Sequence, residues 1–531
     1  MATLAIIAPR EHAQVSPDTF HKHWNHAVWL AILAALSFGV LLAHGYHPLA
    51  EDGGLYVAGV EHLLNPALFP RDTAFVTAHL RFSIFAPLLA GFIRWTHIPL
   101  GWALLLAELL SIGLTLFSAR QLLRRCIAGE AAQLGGVALL AAWWTLPVAA
   151  TSLLLFDPYL TARSFSTPLS LLAIAYALET DSNHRTGNRR AALLCALCLL
   201  LAALLHPLMA AYAAAMVVVL CTAARATGRR SLFLWTFLTA FALVAAATLH
   251  ALAPAESPAV IAAAHSRYYW FLSHWRWYEL CGLAGPLVVL ALLWSSHLSR
   301  AADALCAACI GVGLLAFLIA LLFAHDKAPT HLIARLQPLR IFLPIYAIMA
   351  LLLGAALTRR SQPLRSTAVR LLPPATLLAI AALMFACQRA TFPASQHLEL
   401  PWRASSNPLN PWSGAFLWAR SHTQRNALFA IDADYITTPG EDAQAFRATA
   451  QRSILPDFSK DGGEASITPA LADLWQQGVE AQTGLSTESD ALRDTHLRPL
   501  GVTWMVLRST AHTAYPCPYD NGVVKVCSLA H

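Results

Sequence analysis

Apolar runs long enough to cross a bilayer recur along this chain from about residue 28 to about residue 388, and they constrain its fold more than any other feature. Of 531 residues, 57% are hydrophobic and only 12% charged, too few charges to cover a soluble protein of that length. The expected fold class is a polytopic α-helical membrane protein with about 11–12 membrane helices. Candidate spans fall at roughly 28–44, 100–122, 133–155, 167–179, 190–205, 208–224, 231–252, 278–294, 304–324, 340–358 and 371–388. The first lacks a small-residue cleavage signature and reads as a retained signal-anchor helix behind a polar segment, 1–27.

The net charge of +7 is carried mostly by arginine, and its placement gives an orientation. Cytoplasmic loops of membrane proteins collect Lys and Arg. RQLLRR (120–125), HRTGNRR (184–190), ARATGRR (224–230), HLSR (297–300) and RRSQPLRSTAVR (359–370) fit that rule together. They share the inner side if the N-terminus is inside and RFSIFAPLLAGFIRWTH (81–97) is not a full span. The outer side then receives 45–80, 156–166, 253–277, 325–339 and everything after about 389. No nucleic-acid motif accompanies the basic charge.

Beyond the spans, 28–388, a linker (389–412) leads to an expected small extracytoplasmic α/β domain, 413–531. ALFAID (427–432) and VTWMVL (502–507) read as buried strands, and 440–452 and 469–481 as helices with acidic starts. Cys517 and Cys527 flank PYDNGVVKV, whose Asn-Gly is a hairpin turn signal. Two cysteines facing across such a hairpin can form a disulfide, which needs an oxidising compartment.

Polar residues on the expected outer side are the candidates for chemistry. Glu51 and Asp52 follow the first span in HPLAEDGGLY (47–56), beside two glycines that admit a close backbone or substrate. A carboxylate shielded from water has a raised pKa and can accept a hydroxyl proton. FDPYLTAR (156–163) adds Asp157 and Arg163, and His206 breaks a long apolar run before Pro207. Arg267 lies in the aromatic segment HSRYYWFLSHWRWYE (265–279). HDKAPTHLIARLQPLR (325–340) carries His331, Arg335 and Arg340 against the positive-inside rule, and an anion such as a lipid phosphate compensates such charge. Charges at 440–463 read as a solvated helix and strand end.

This plan resembles the integral-membrane glycosyltransferases of the C-type fold (GT-C). Glu51-Asp52 stands where that superfamily carries an acidic motif in its first outer loop. Asp157 in FDPYLTAR resembles the second acidic position, and residues 389–531 resemble the soluble domain in which many members end. The chain lacks the WWDYG-like motif of oligosaccharyltransferase catalytic subunits, which leaves donor and acceptor open. The resemblance implies sugar transfer from a polyprenyl-phosphate donor to a glycan, lipid or protein acceptor outside the cytoplasm, in a cell (inner) membrane. Asp52, Glu51 and Asp157 would be catalytic, and Arg163, His206, Arg267, His331, Arg335 and Arg340 would bind substrate. A divalent cation (Mg or Mn) between Asp52 and Asp157 is compatible with hard oxygen ligands, though the sequence does not require one. The rival readings are a transporter or flippase of an anionic or lipid-linked solute, and a non-catalytic membrane assembly protein.

Overall fold

The computed structural model describes residues 26–179, 185–361, 367–403, 409–438 and 440–529. The expected cytoplasmic segment 1–27 lies outside the described residues up to residue 25, as do parts of the basic loops 184–190 and 359–370 and of the linker.

Among the described residues, eight helices are long and apolar enough to cross a membrane. Their surfaces show why they need hydrocarbon. Gly228–Leu252 is only 6% buried along its apolar stretch, exposing Leu232, Phe233, Phe237, Phe241 and Leu252. A soluble protein does not leave such a continuous apolar face in water. By contrast, 83% of the span 332–361 is buried, which puts Phe342–Ser361 at the centre of the bundle. This is a polytopic helical membrane protein.

The count is lower than the 11–12 expected, for local reasons. The expected span 133–155 ends early, at helix Glu130–Ala142. Pro147 interrupts it, and the chain doubles back through a Pro147–Leu154 bridge. The expected span 208–224 is the 15-residue helix Pro207–Cys221, and 167–179 falls in Ala162–Glu179, whose first turn carries Arg163. The 81–97 stretch is not straight either: Phe85–Thr96 is bent by 102° from Thr73–Arg81, and the two make a ninth span only if counted as one.

Two helices run from the soluble region toward basic ends. Leu100–Cys126 starts where Trp102 stacks on Trp402 at 5.2 Å and ends at Arg124 and Arg125. At 27 residues it is about 40 Å long. Phe342–Ser361 begins just after Arg340 and ends at Arg359 and Arg360.

The C-terminal part holds a five-stranded sheet in the order β2-β1-β3-β5-β4. Its strands are β1 (Leu428–Ile431), β2 (Ser453–Ile454), β3 (Trp504–Arg508), β4 (Tyr519–Asp520) and β5 (Val524–Ser528). β1 lies parallel to β2 and β3, with Phe429 opposite Trp504, while β5 runs antiparallel to β3 and β4. Cys517 and Cys527 form a disulfide across the hairpin end. The expected helix 440–452 shrinks to Phe446–Ala450. Its acidic start is drawn into tertiary contacts instead: Glu441 pairs with Arg508, and Asp442 accepts the Ser395 backbone N–H at 2.8 Å.

A buried ion cluster fastens the sheet region to the chain after the first span. Arg447 donates from Nε to Asp72 at 2.5 Å and from both terminal nitrogens to Asp461 at 2.8 and 2.9 Å. Asp72 also accepts the backbone N–H of Ile454 at 3.1 Å. Removing one partner of a buried pair leaves an uncompensated charge. Arg447→Met should therefore cost about 3–5 kcal/mol, measured as lost thermal stability of the detergent-solubilised protein.

Candidate functional site

The acidic pair is not in a flexible turn. Glu51 and Asp52 open the 14-residue helix Glu51–Leu64, where its N-terminal dipole favours carboxylates. Glu51 holds a left-handed backbone (φ 49°), a conformation that costs free energy and concentrates at functional sites. The two glycines that follow admit protein rather than leaving space. A Cβ on Gly54 would lie 2.2 Å from Ala445 of the C-terminal region, and one on Gly53 would meet the Pro48 carbonyl at 2.7 Å.

Asp52 is ringed by cations. Arg163 approaches it at 3.4 Å and pairs with Asp157 at 2.8 Å, bridging the two carboxylates. Lys460, from the C-terminal region, contacts Asp52 at 3.2 Å and also pairs with Glu51. The loops carrying these groups are joined by the His47 N–H donating to the Pro158 carbonyl at 2.8 Å. Burial pushes the Asp52 carboxyl up, but Lys460 and Arg163 outweigh it and hold Asp52 well below the usual carboxylate range. This corrects the expectation of a raised pKa there. The cause is a lysine some 400 positions away, which the local sequence does not reveal.

These residues face a cavity of about 540 Å³. Of the residues singled out in the sequence, Glu51, Asp52, Arg163, His206, Arg267 and Arg340 line it. Asp157 sits behind Arg163, in a small adjoining cavity with Glu108 and Ser111. Tyr268, Tyr269 and Trp270 form an aromatic wall, and Arg340 lies over the Tyr269 ring at 5.7 Å.

The basic residues divide by what they already hold. Arg267 donates to the backbone carbonyls of Phe458 and Ser459 at 2.7 and 2.6 Å, clamping the segment that delivers Lys460. Gly462 packs closely beneath it, since a Cβ there would lie 2.8 Å from Arg267 Nη2 and would push the guanidinium aside. His206 Nδ1 accepts the Met209 N–H at 3.4 Å, capping the helix after it and leaving Nε2 as the ring's donor. Arg340 has no carboxylate partner among the described residues, and its Nε is buried without a hydrogen bond.

His331 and Arg335 are not among the cavity's lining residues. Both hold Glu256, at 2.7 and 2.8 Å, in a buried cluster that ties the 325–340 segment to the chain before Pro258–His265. Much of that segment's unusual basic charge is thus compensated inside the protein, and Arg340 is the part that reaches the cavity.

A cation between Asp52 and Asp157 does not fit this arrangement. The Arg163 guanidinium occupies that position, and Lys460 neutralises Glu51 and Asp52 from the other side. Among the described residues, no group of three or more His, Cys, Asp or Glu side chains is placed to hold a metal ion.

Sequence reasoning missed two charged lining residues, Lys460 and Glu464, both on helix Lys460–Ile467. Their spacing of four puts them on one helical face, a signal that was present but silent about its target.

No family model matches this chain, and no curated protein matches it. A solved structure that matches is an oligosaccharyltransferase of Archaeoglobus fulgidus, described as a complex with Zn and sulfate. It is 12% identical, over 90% of this chain and 67% of that one, with a TM-score of 0.42. At that level the likeness carries no argument about activity, and the zinc belongs to that protein.

The Asp52–Lys460 pair carries a pH signature. With its folded-state pKa below the unfolded value of about 3.9, Asp52 contributes stability above roughly pH 4 and loses it as pH falls toward the folded value. Lys460→Met should lower the Tm at pH 7, and the deficit should narrow at pH 3. A deficit of the same size at both pH values contradicts the pairing.

Proposed function

We propose that this protein is a GT-C-type glycosyltransferase that moves a sugar from a polyprenyl-phosphate donor to an extracytoplasmic acceptor. One observation carries the reading. A carboxylate kept charged, Asp52, and an arginine without a carboxylate partner, Arg340, line the same cavity, close enough for the arginine's charge to act on the acid. Glycosyl transfer develops positive charge on the sugar ring and negative charge on the departing phosphate. The cavity offers fixed charges for both.

In this mechanism Asp52 stabilises the cationic sugar and does not leave its charged state. Arg163 and Lys460 keep it ionised, with Asp157 and Glu51 as their second partners. Arg340 and His206 receive the phosphate, and the wall of Tyr268, Tyr269 and Trp270 packs against the sugar or the first units of the lipid. Arg267 is a positioning residue that holds the Lys460 segment.

The sidedness is part of the proposal. What supports it is that Phe342–Ser361 leads away from Arg340 to Arg359 and Arg360, while Leu100–Cys126 leads away from the soluble region to Arg124 and Arg125. The positive-inside rule puts those arginine ends in the cytoplasm, and so the cavity, the disulfide and residues 413–531 outside.

Deleting the gene in its host and analysing surface glycans and lipid-linked sugars by mass spectrometry tests the assignment. One sugar should disappear from the surface while its lipid-linked donor accumulates. Wild-type protein should restore it, and Asp52→Asn or Arg340→Met should transfer about a hundredfold more slowly or worse. Donor accumulating only on the cytoplasmic leaflet assigns transport instead. Full complementation by Asp52→Asn leaves a non-catalytic role.

A further inference from the structure

The glycosyl-transfer reading leaves a chemical gap, because an acceptor hydroxyl must lose a proton as it attacks. Asp52 is poorly suited to take it, being held far below neutrality by two cations. Another carboxyl faces the same space. Glu464 lines the cavity, one helical turn beyond Lys460 on helix Lys460–Ile467, and is only 8% exposed. No hydrogen bond or ion pair reaches its carboxyl from any described residue, so it is committed to no structural partner. We propose that Glu464 is the general base that takes the proton from an acceptor hydroxyl; this rests on the glycosyl-transfer reading of the cavity.

The electrostatics suit that task. Burial, helped by the neighbouring Asp461 and Asp52 and opposed by Arg447, pushes the Glu464 carboxyl up to about 8. The titratable and charged groups on the elements packed around it are Glu51, Asp52, Tyr56, Glu61 and His62 on Glu51–Leu64, Asp72 before Thr73–Ala78, and Arg447 on Phe446–Ala450. His265 ends Pro258–His265 with Arg267 just beyond, Asp473 and Glu480 lie on Ala472–Gln482, and Lys460 and Asp461 share its own helix. A base works best when its pKa lies near the working pH. Two carboxyls in one cavity, driven apart by their surroundings, divide the labour between fixed charge and proton transfer. Asp457 is pushed up to about 7 as well, but it does not line the cavity and accepts the Lys460 backbone N–H at 2.6 Å.

In the step, the acceptor O–H bond breaks and its proton goes to a Glu464 carboxylate oxygen. The freed electron pair on the acceptor oxygen forms the bond to the anomeric carbon. The bond from that carbon to the phosphate oxygen breaks, and its electron pair leaves on the phosphate, beside Arg340. The Glu464 proton then passes to water.

The test uses the full chain in lipid nanodiscs, with radiolabelled polyprenyl-phosphate glucose, mannose, arabinose and N-acetylglucosamine as donor probes and host envelope as acceptor. Since only about a tenth of Glu464 is ionised at pH 7, the wild-type rate should rise roughly tenfold between pH 7 and pH 9.5. E464Q should lose about a hundredfold or more together with that rise, while E464D keeps a measurable rate and a rise of its own. Folding does not confound this. The raised pKa disfavours the charged acid in the folded state, so E464Q should match the wild-type Tm below about pH 4.5 and exceed it above pH 8.

A second readout needs no substrate. Wild-type-minus-E464Q infrared difference spectra should show one protonated-carboxyl band that is lost near pH 8, and D52N should retain it; Glu61, also pushed up to about 8 by burial, cancels in that difference. The proposal is overturned if the difference band is absent, or if E464Q stays within about twofold of the wild-type rate, or if the alkaline rise survives in E464Q and vanishes in D457N. Those outcomes with an active wild type remove Glu464 alone. A wild type that transfers from none of the probes overturns the parent reading and Glu464's role with it.

Discussion

The contact of Lys460 with Glu51 and Asp52 is the interaction on which the rest of the cavity depends. One side of it comes from the start of the helix after the first span, the other from a short helix in the C-terminal region. Neither half makes a site alone. The acidic pair without Lys460 would be two partly exposed carboxylates at a helix start, and Lys460 without the pair would be a buried ammonium with nothing to neutralise it. Arg447, held between Asp72 and Asp461, and Arg267, clamped to the Phe458 and Ser459 carbonyls, keep the two halves in register.

Charge in this cavity is fixed by protein groups rather than left to solvent. Arg163 bridges Asp52 and Asp157 in the position a metal ion would need, so the neutralising charge is built into the chain. A guanidinium holds two carboxylates by directed hydrogen bonds, which sets their geometry as well as their ionisation. Arg340 stands outside that network: it is half-buried, has no carboxylate partner among the described residues, and its Nε is buried without a hydrogen bond. A buried unpaired donor costs free energy, and in the proposed reading the departing phosphate satisfies it.

Parts of the cavity lining were readable in advance because the expected sidedness grouped the loops that carry them. Glu51, Asp52, Arg163, His206, Arg267 and Arg340 lie in different loops, yet the arginine distribution put all of them on one side of the bundle, and they line one cavity. His331 and Arg335 had the same apparent claim, but Glu256 takes both, and nothing in HDKAPTHLIARLQPLR signals a partner in an earlier loop. Lys460 and Glu464 went the other way. Lys460 falls in a segment that reads as solvated, because a charge facing water and a charge facing a cavity have the same local pattern, and Glu464 lies just beyond that segment and was not singled out. The sign of the Asp52 shift was misjudged for the same reason.

By itself the sequence determined the membrane class, the strands at 427–432 and 502–507 and the chemical character of its polar loops, since each rests on local composition or short periodicity. Only the tertiary structure decided which charges are spent on one another and which remain for chemistry. Charges act through space over several ångströms, so the state of Asp52 is set by residues more than a hundred and four hundred positions away. No window along the chain contains that information.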